Sequence, residues 1–156
     1  RLDPRDHELV FVGGLLSNLG CLFLLSEIPN GFKQAFKIRE RQGGSLAAAE
    51  RGVVGMSHAE IGQELGIKWR LPEELALLIG RHEGPFAGEP IPPLYVVHAA
   101  DRYASLVCTG DHLLDAELDP LVDTWLSWTE EDDLWVRRET AIRLEAVSEM
   151  LAMIEG

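Results

Sequence analysis

The stretch that decides the fold is Ser57–Gly84, SHAEIGQELGIKWRLPEELALLIGRHEG. Ser57 is followed three residues later by Glu60, the spacing of a capping box. There a hydroxyl and a carboxylate each satisfy a backbone N–H that the first helical turn leaves over. The segment HAEIGQELG is therefore a helix. Pro72 opens the next one, because its fixed φ suits a first helical position. Gly84-Pro85 closes it. In this second helix His82 follows Ile79 by three residues and Leu78 by four, so it shares their apolar side.

The same reading extends outward in both directions. Asp3-Pro4 starts a helix that runs through RDHELVFVGGLL. Phe11, Gly14, Leu15 and Asn18 share one of its faces, so Asn18 is expected to point inward. Gly20 is expected to break or bend the chain before CLFLLSEIP, and Pro29-Asn30-Gly31 is expected to be a turn. FKQAFKIRERQ is an amphipathic helix stopped by Gly43-Gly44, and Ser45 caps LAAAERGVVG. LYVVHAADRYASLVC is a long buried helix, and DPLVDTWLSW is short and aromatic. Thr129 caps the last helix, with Glu130, Glu131, Asp132 and Asp133 near its positive end. Leu134, Ala141, Leu144, Val147, Leu151 and Ile154 give that helix an apolar stripe. No strand pattern, internal repeat or linker interrupts the series. The expectation is an all-α multi-helix bundle, a single domain over residues 1–156 with an acidic helical tail at about 111–156 packed as part of it.

Composition narrows the classes of function. Hydrophobic residues make up 46% of 156, a globular proportion. The greasiest stretch, Val10 to Leu25, is read as too short to span a bilayer and is interrupted by Ser17 and Asn18. Charges at Arg1, Asp3, Arg5, Asp6 and Glu8 spoil any signal peptide. Cys21 and Cys108 are the only cysteines. They read as free thiols of a reducing compartment, lying in apolar helices where thiols tend to be inert, with the cytoplasm as the expected location. The formal net charge is −12, and it is uneven: 13 acids against 3 bases follow Gly110, while 13 acids against 11 bases precede Asp111. No basic stripe for nucleic acid is present. The acidic third reads as a solvated helical face before it reads as a site for a basic partner.

Three polar residues fall on apolar faces. Asp101 shares a face with Leu94, Val97, Ala104 and Cys108, and His98 lies three residues before it. A buried carboxylate needs a partner. His82 faces the core side, and His58 sits in the first turn of its helix. Each also has a plain reading: a satisfied core histidine, a structural carboxylate, an exposed first-turn side chain. A metal site needs three or more converging ligands, and spacing alone does not bring His58, His82 and Asp101 together.

The order of these segments resembles the HDOD family, HD-related output domains within the wider HD superfamily of metal-dependent phosphohydrolases. The resemblance rests on FVGGLLSNLGCLFL, then Glu50, then GMSHAEIGQELGIKWRLPEELALLIGRHEGP with its His58-Ala59 pair, Gly62 and Trp69 to Pro72, then HAADRYASL. It covers Leu9 to Cys108 and is looser through the acidic tail. It implies an HD-like helical fold, and it implies that this chain is the C-terminal, HD-like portion of a fuller domain. It also implies a site in which His58, His82 and Asp101 match ligand positions. Ser17 and Asn18 then stand where a catalytic HD protein has His and Asp, Cys21 where Lys is frequent, and Arg81 where the first of a His-His pair would be. Ser and Asn are poor replacements for an imidazole and a bridging carboxylate. An inward Arg81 would put positive charge where a cation should sit.

The resemblance therefore implies a non-catalytic bacterial signal-transduction module without a cofactor, acting on a protein partner or sensing a small ligand. The vestigial pocket would be lined by Ser17, Asn18, His58, Arg81, His82 and Asp101. Two other readings compete. One is an HD phosphohydrolase acting on a nucleotide or cyclic dinucleotide, its metal held by His58, His82 and Asp101. The other is an oligomerisation or scaffold piece built on Trp125, Trp128 and Trp135, which at near-helical spacing read first as core.

Overall fold

The computed structural model describes residues 2–109 and 118–155. Among them are nine helices and no strand, as an all-α bundle requires. They are α1 (Asp6–Leu16), α2 (Leu19–Glu27), α3 (Pro29–Gln42), α4 (Leu46–Val54), α5 (His58–Lys68), α6 (Glu73–Arg81), α7 (Pro92–Thr109), α8 (Pro120–Leu126) and α9 (Glu130–Glu155). The chain divides into two compact units. One is Arg1–Pro85 with Ile91–Val97, the other Phe86–Pro90 with His98–Gly156.

In the first unit α5 packs against α6 and α2, α1 lies on α6, and α3 pairs with α4. Leu24, Ala35, Ala47, Ala59, Leu78, Ile79, Leu94 and Val97 are among its buried apolar residues. The caps follow the sequence. Ser45 Oγ accepts from Ala48 N, and the capping box of Ser57 and Glu60 is complete. Close approach is made through small residues. A Cβ at Gly20 would collide with the His58 carbonyl, and one at Gly62 would lie 2.7 Å from an Ile79 methyl. Two glycines thus let α2 sit directly on the start of α5.

Several expectations need correction. The inward face of the first two helices is not Phe11–Gly14–Leu15–Asn18. It is Gly13, Ser17, Gly20 and Leu24, all buried and spaced by four, three and four. Phe11 and Leu15 are each 68% exposed, and Asn18 is exposed too. The chain breaks at Ser17-Asn18, while Gly20 continues inside α2. Pro29-Asn30-Gly31 forms the first turn of α3 and not a separate turn, because proline is as well suited to N1 as to a bend. Pro4 precedes α1 and does not begin it; Asp3 Oδ1 accepts instead from Arg5 N at 3.0 Å. The expectation that no stretch is long enough to span a bilayer also fails. Asp6–Glu27 is 22 residues long and apolar enough to do so by length and composition, with only 22% of the window buried. Ser17 does not interrupt it as a polar residue would, because its hydroxyl is spent on the Gly14 carbonyl at 2.9 Å.

In the second unit the buried residues are Phe86, His98, Ala99, Tyr103 and Val122. His98 Nε2 accepts from the backbone N–H of Asp119 at 3.1 Å, and its ring meets Phe86 edge-on at 5.0 Å. Tyr103 OH donates to Asp133 Oδ1, and Arg137 Nε donates to Asp133 Oδ2 at 2.7 Å. Thr129 caps α9, accepting from Asp132 N at 3.2 Å. The inward stripe expected of α9 is not formed as drawn, since Leu134 and Val147 are exposed. Leu151 and Ile154 side chains lie outside the described residues. Trp128 and Trp135 are not core either, being 38% and 63% exposed. The part of the expected acidic tail at 111–117 lies outside the described residues, as does the Cys108 side chain.

Candidate functional site

The polar centre of the first unit is built where α4, α5, α6 and α2 meet. Glu50 is on the inward face of α4, one turn after Ala47, and is completely buried. Its Oε2 accepts twice from one residue: from the His58 backbone N–H at 2.7 Å and from His58 Nδ1–H at 2.6 Å. The carboxylate therefore caps α5, where the helix dipole favours negative charge, and fixes the imidazole at the same time. Its other oxygen, Oε1, is buried with no hydrogen-bond partner.

His58 is itself 1% exposed. With Nδ1 bound to Glu50, its Nε2 faces Glu83 Oε1 at 3.6 Å. The His82 ring lies 5.3 Å away, centroid to centroid. His82 is completely buried and donates from Nδ1 to the Ile79 carbonyl at 2.8 Å. Cys21, part-exposed on α2, reaches the same imidazole and donates its thiol proton to Asn18 Oδ1 at 3.6 Å. Burial alone would lower the His58 pKa. The acceptors Cys21, Glu50 and Glu83 outweigh it and push the imidazole up to about 12. The groups around the ring thus favour its protonated form.

The sequence-derived candidates separate. His58 and His82 come together as the resemblance implies. Ser17 is buried, but its hydroxyl is turned to the Gly14 carbonyl. Asn18 and Arg81 are exposed, so Arg81 puts no positive charge into the core. Asp101 belongs to the second unit. Conversely, Glu50, Glu83 and Cys21 were not read as site residues. Glu50 had a signal: a lone acid three residues after an inward alanine in LAAAERG must be either paired or exposed. Cys21 and Glu83 had none, because their place beside His58 comes from the packing of α2 and α6 on α5.

The donors fall into two sets that share His58. Cys21, Glu50 and His58 offer ligand atoms within 4.8 Å of one another, and so do His58, His82 and Glu83. A two-metal phosphohydrolase centre does not fit these residues. It needs a bridging carboxylate and several hard donors around an open position, and Ser17 and Asn18 supply neither.

The HDOD domain family matches residues 1–85, more than half of the 156-residue chain. The match ends at Pro85, so the HAADRYASL segment and Asp101 lie beyond it. No curated protein and no solved structure matches the chain. The all-helical fold and the matched residues agree: the chain belongs to the HDOD family.

Proposed function

We propose that this chain is a non-catalytic signalling module of the bacterial cytoplasm that acts through protein contact or small-ligand sensing. The observation that carries the reading is the fate of Ser17 and Asn18. One has turned its hydroxyl to its own helix and the other faces solvent. Neither offers the imidazole or carboxylate that hydrolysis in the HD superfamily needs. Protein contact is supported by the outer face of α1 and α2, where Phe11, Leu15, Leu22 and Leu25 are exposed together. The test is turnover of bis(p-nitrophenyl) phosphate and of cyclic dinucleotides with manganese or ferrous iron. The expected result is none above the metal-only rate. Turnover that His58→Ala removes would sink the reading.

A further inference from the structure

We propose that the outer face of α1 and α2 pairs antiparallel with the same face of a second copy of this chain, about a two-fold axis at Asn18. This deepens the reading of that face as a protein contact and rests on it.

The face is a stripe. Phe11, Leu15, Asn18, Leu22 and Leu25 follow one another at spacings of four, three, four and three. That alternation is the heptad seam along which two helices pack side by side. The four apolar members are 51–68% exposed, and Asn18 is exposed with them. The stripe runs on through the break at Ser17-Asn18. On the opposite side Gly13, Ser17, Gly20 and Leu24 keep their own register across that break, and all are buried. That side is taken up by α6, whose Leu78 meets Gly13, and by α5, whose His58 meets Gly20. The outer stripe is therefore turned to solvent. No residue from Leu9 to Ser26 is charged, whereas a helix face that stays in water ordinarily carries charge.

Two features select a second copy as the occupant. First, the stripe reads alike in both directions. Phe11 and Leu25 stand seven residues either side of Asn18, with Leu15 three before it and Leu22 four after it. A two-fold rotation at Asn18 sets Phe11 against Leu25 of the partner subunit and Leu15 against Leu22 of the partner subunit. It also sets the two Asn18 side chains against each other. An isologous interface needs a patch that is self-complementary in this way. Second, Asn18 is the one polar residue in an otherwise apolar seam. An amide pressed against an apolar surface is costly. Its Oδ1 accepts from the Cys21 thiol at 3.6 Å, and an amide offers two donor and two acceptor positions in all. Asn18 of the partner subunit supplies both kinds at the same height. A single asparagine in an apolar seam is also a device that fixes the register of paired helices.

The experiment is sedimentation equilibrium of the chain over a range of concentrations. The expected result is a reversible dimer. Leu15→Glu and Leu22→Lys change exposed side chains, so each should keep the helical circular dichroism and sediment as a monomer. Mixed together, the two variants should dimerise again, because the axis sets position 15 against position 22. The proposal is overturned by a monomer at every concentration, by a dimer that survives both substitutions, or by folded variants that do not restore one another. A monomer that floats with phosphatidylcholine vesicles would give the face to a lipid surface and overturn it too. A monomer without phosphodiester turnover would overturn the pairing and leave the non-catalytic reading standing. Turnover by a dimer that the two variants disrupt and jointly restore would do the reverse.

Discussion

The two units each bury a histidine near an apolar face, and they use it in opposite ways. In the second unit His98 accepts a backbone hydrogen bond from Asp119 and packs against Phe86. In the first, His58 is enclosed by two carboxylates, a thiol and a second histidine. One imidazole stitches a loop to a helix. The other is the centre of a charged cluster. Burial alone does not separate them, since both are nearly inaccessible. What marks His58 is that one buried carboxylate, Glu50, holds both its ring and its backbone N–H.

The sharpest way to break this contrast is to remove each ring. His58→Ala leaves Glu50 buried without its main partner and should cost about 3–5 kcal/mol in denaturant unfolding. His98→Gln keeps an acceptor for the Asp119 N–H and should cost about 1 kcal/mol. Equal costs would erase the distinction.

Next in size is a steric test of the α2–α5 crossing. Gly20→Ala places a methyl against the His58 carbonyl and should destabilise by about 1–3 kcal/mol or more, by thermal melting. Gly14→Ala, where nothing lies within 4 Å, should not destabilise.

A smaller effect concerns pH. The His58 pKa is raised in the fold, so the unfolded chain gives up its proton first as pH rises. The stability that His58 contributes is fully present below about pH 6.5 and is lost progressively as pH rises toward the raised folded-state pKa. Glu50→Gln should flatten this slope between pH 7 and 9, measured as the change in urea midpoint.

The smallest effect belongs to the second unit. There Tyr103 is shielded from solvent and hydrogen-bonded to Asp133, and both raise its pKa. Tyr103→Phe removes one hydrogen bond while Arg137 still holds Asp133, and should cost about 1 kcal/mol.

The sequence was most legible where local chemistry decides. Ser45, Ser57 and Thr129 cap the helices they precede, because a cap depends on three or four adjacent residues. Legibility failed where two elements must meet. Asn18 is placed inward by its helical spacing from Phe11, Gly14 and Leu15, yet the close approach of α5 selects the small face of Gly13, Ser17 and Gly20 instead. The pairing of His58 with His82 was legible through the family pattern. Its enclosure by Glu50, Glu83 and Cys21 was not, because those residues lie on three further positions in the chain that only packing brings together. Asp101 matched the pattern by order and lies in the second unit.

The loss of the hydrolytic centre is tested most directly by metal retention. The chain would be stripped, incubated anaerobically with manganese and ferrous iron, passed over a desalting column and assayed by elemental analysis. The account predicts both metals at background, because Ser17 and Asn18 supply neither an imidazole nor a carboxylate. Near-stoichiometric manganese or iron per chain would contradict it.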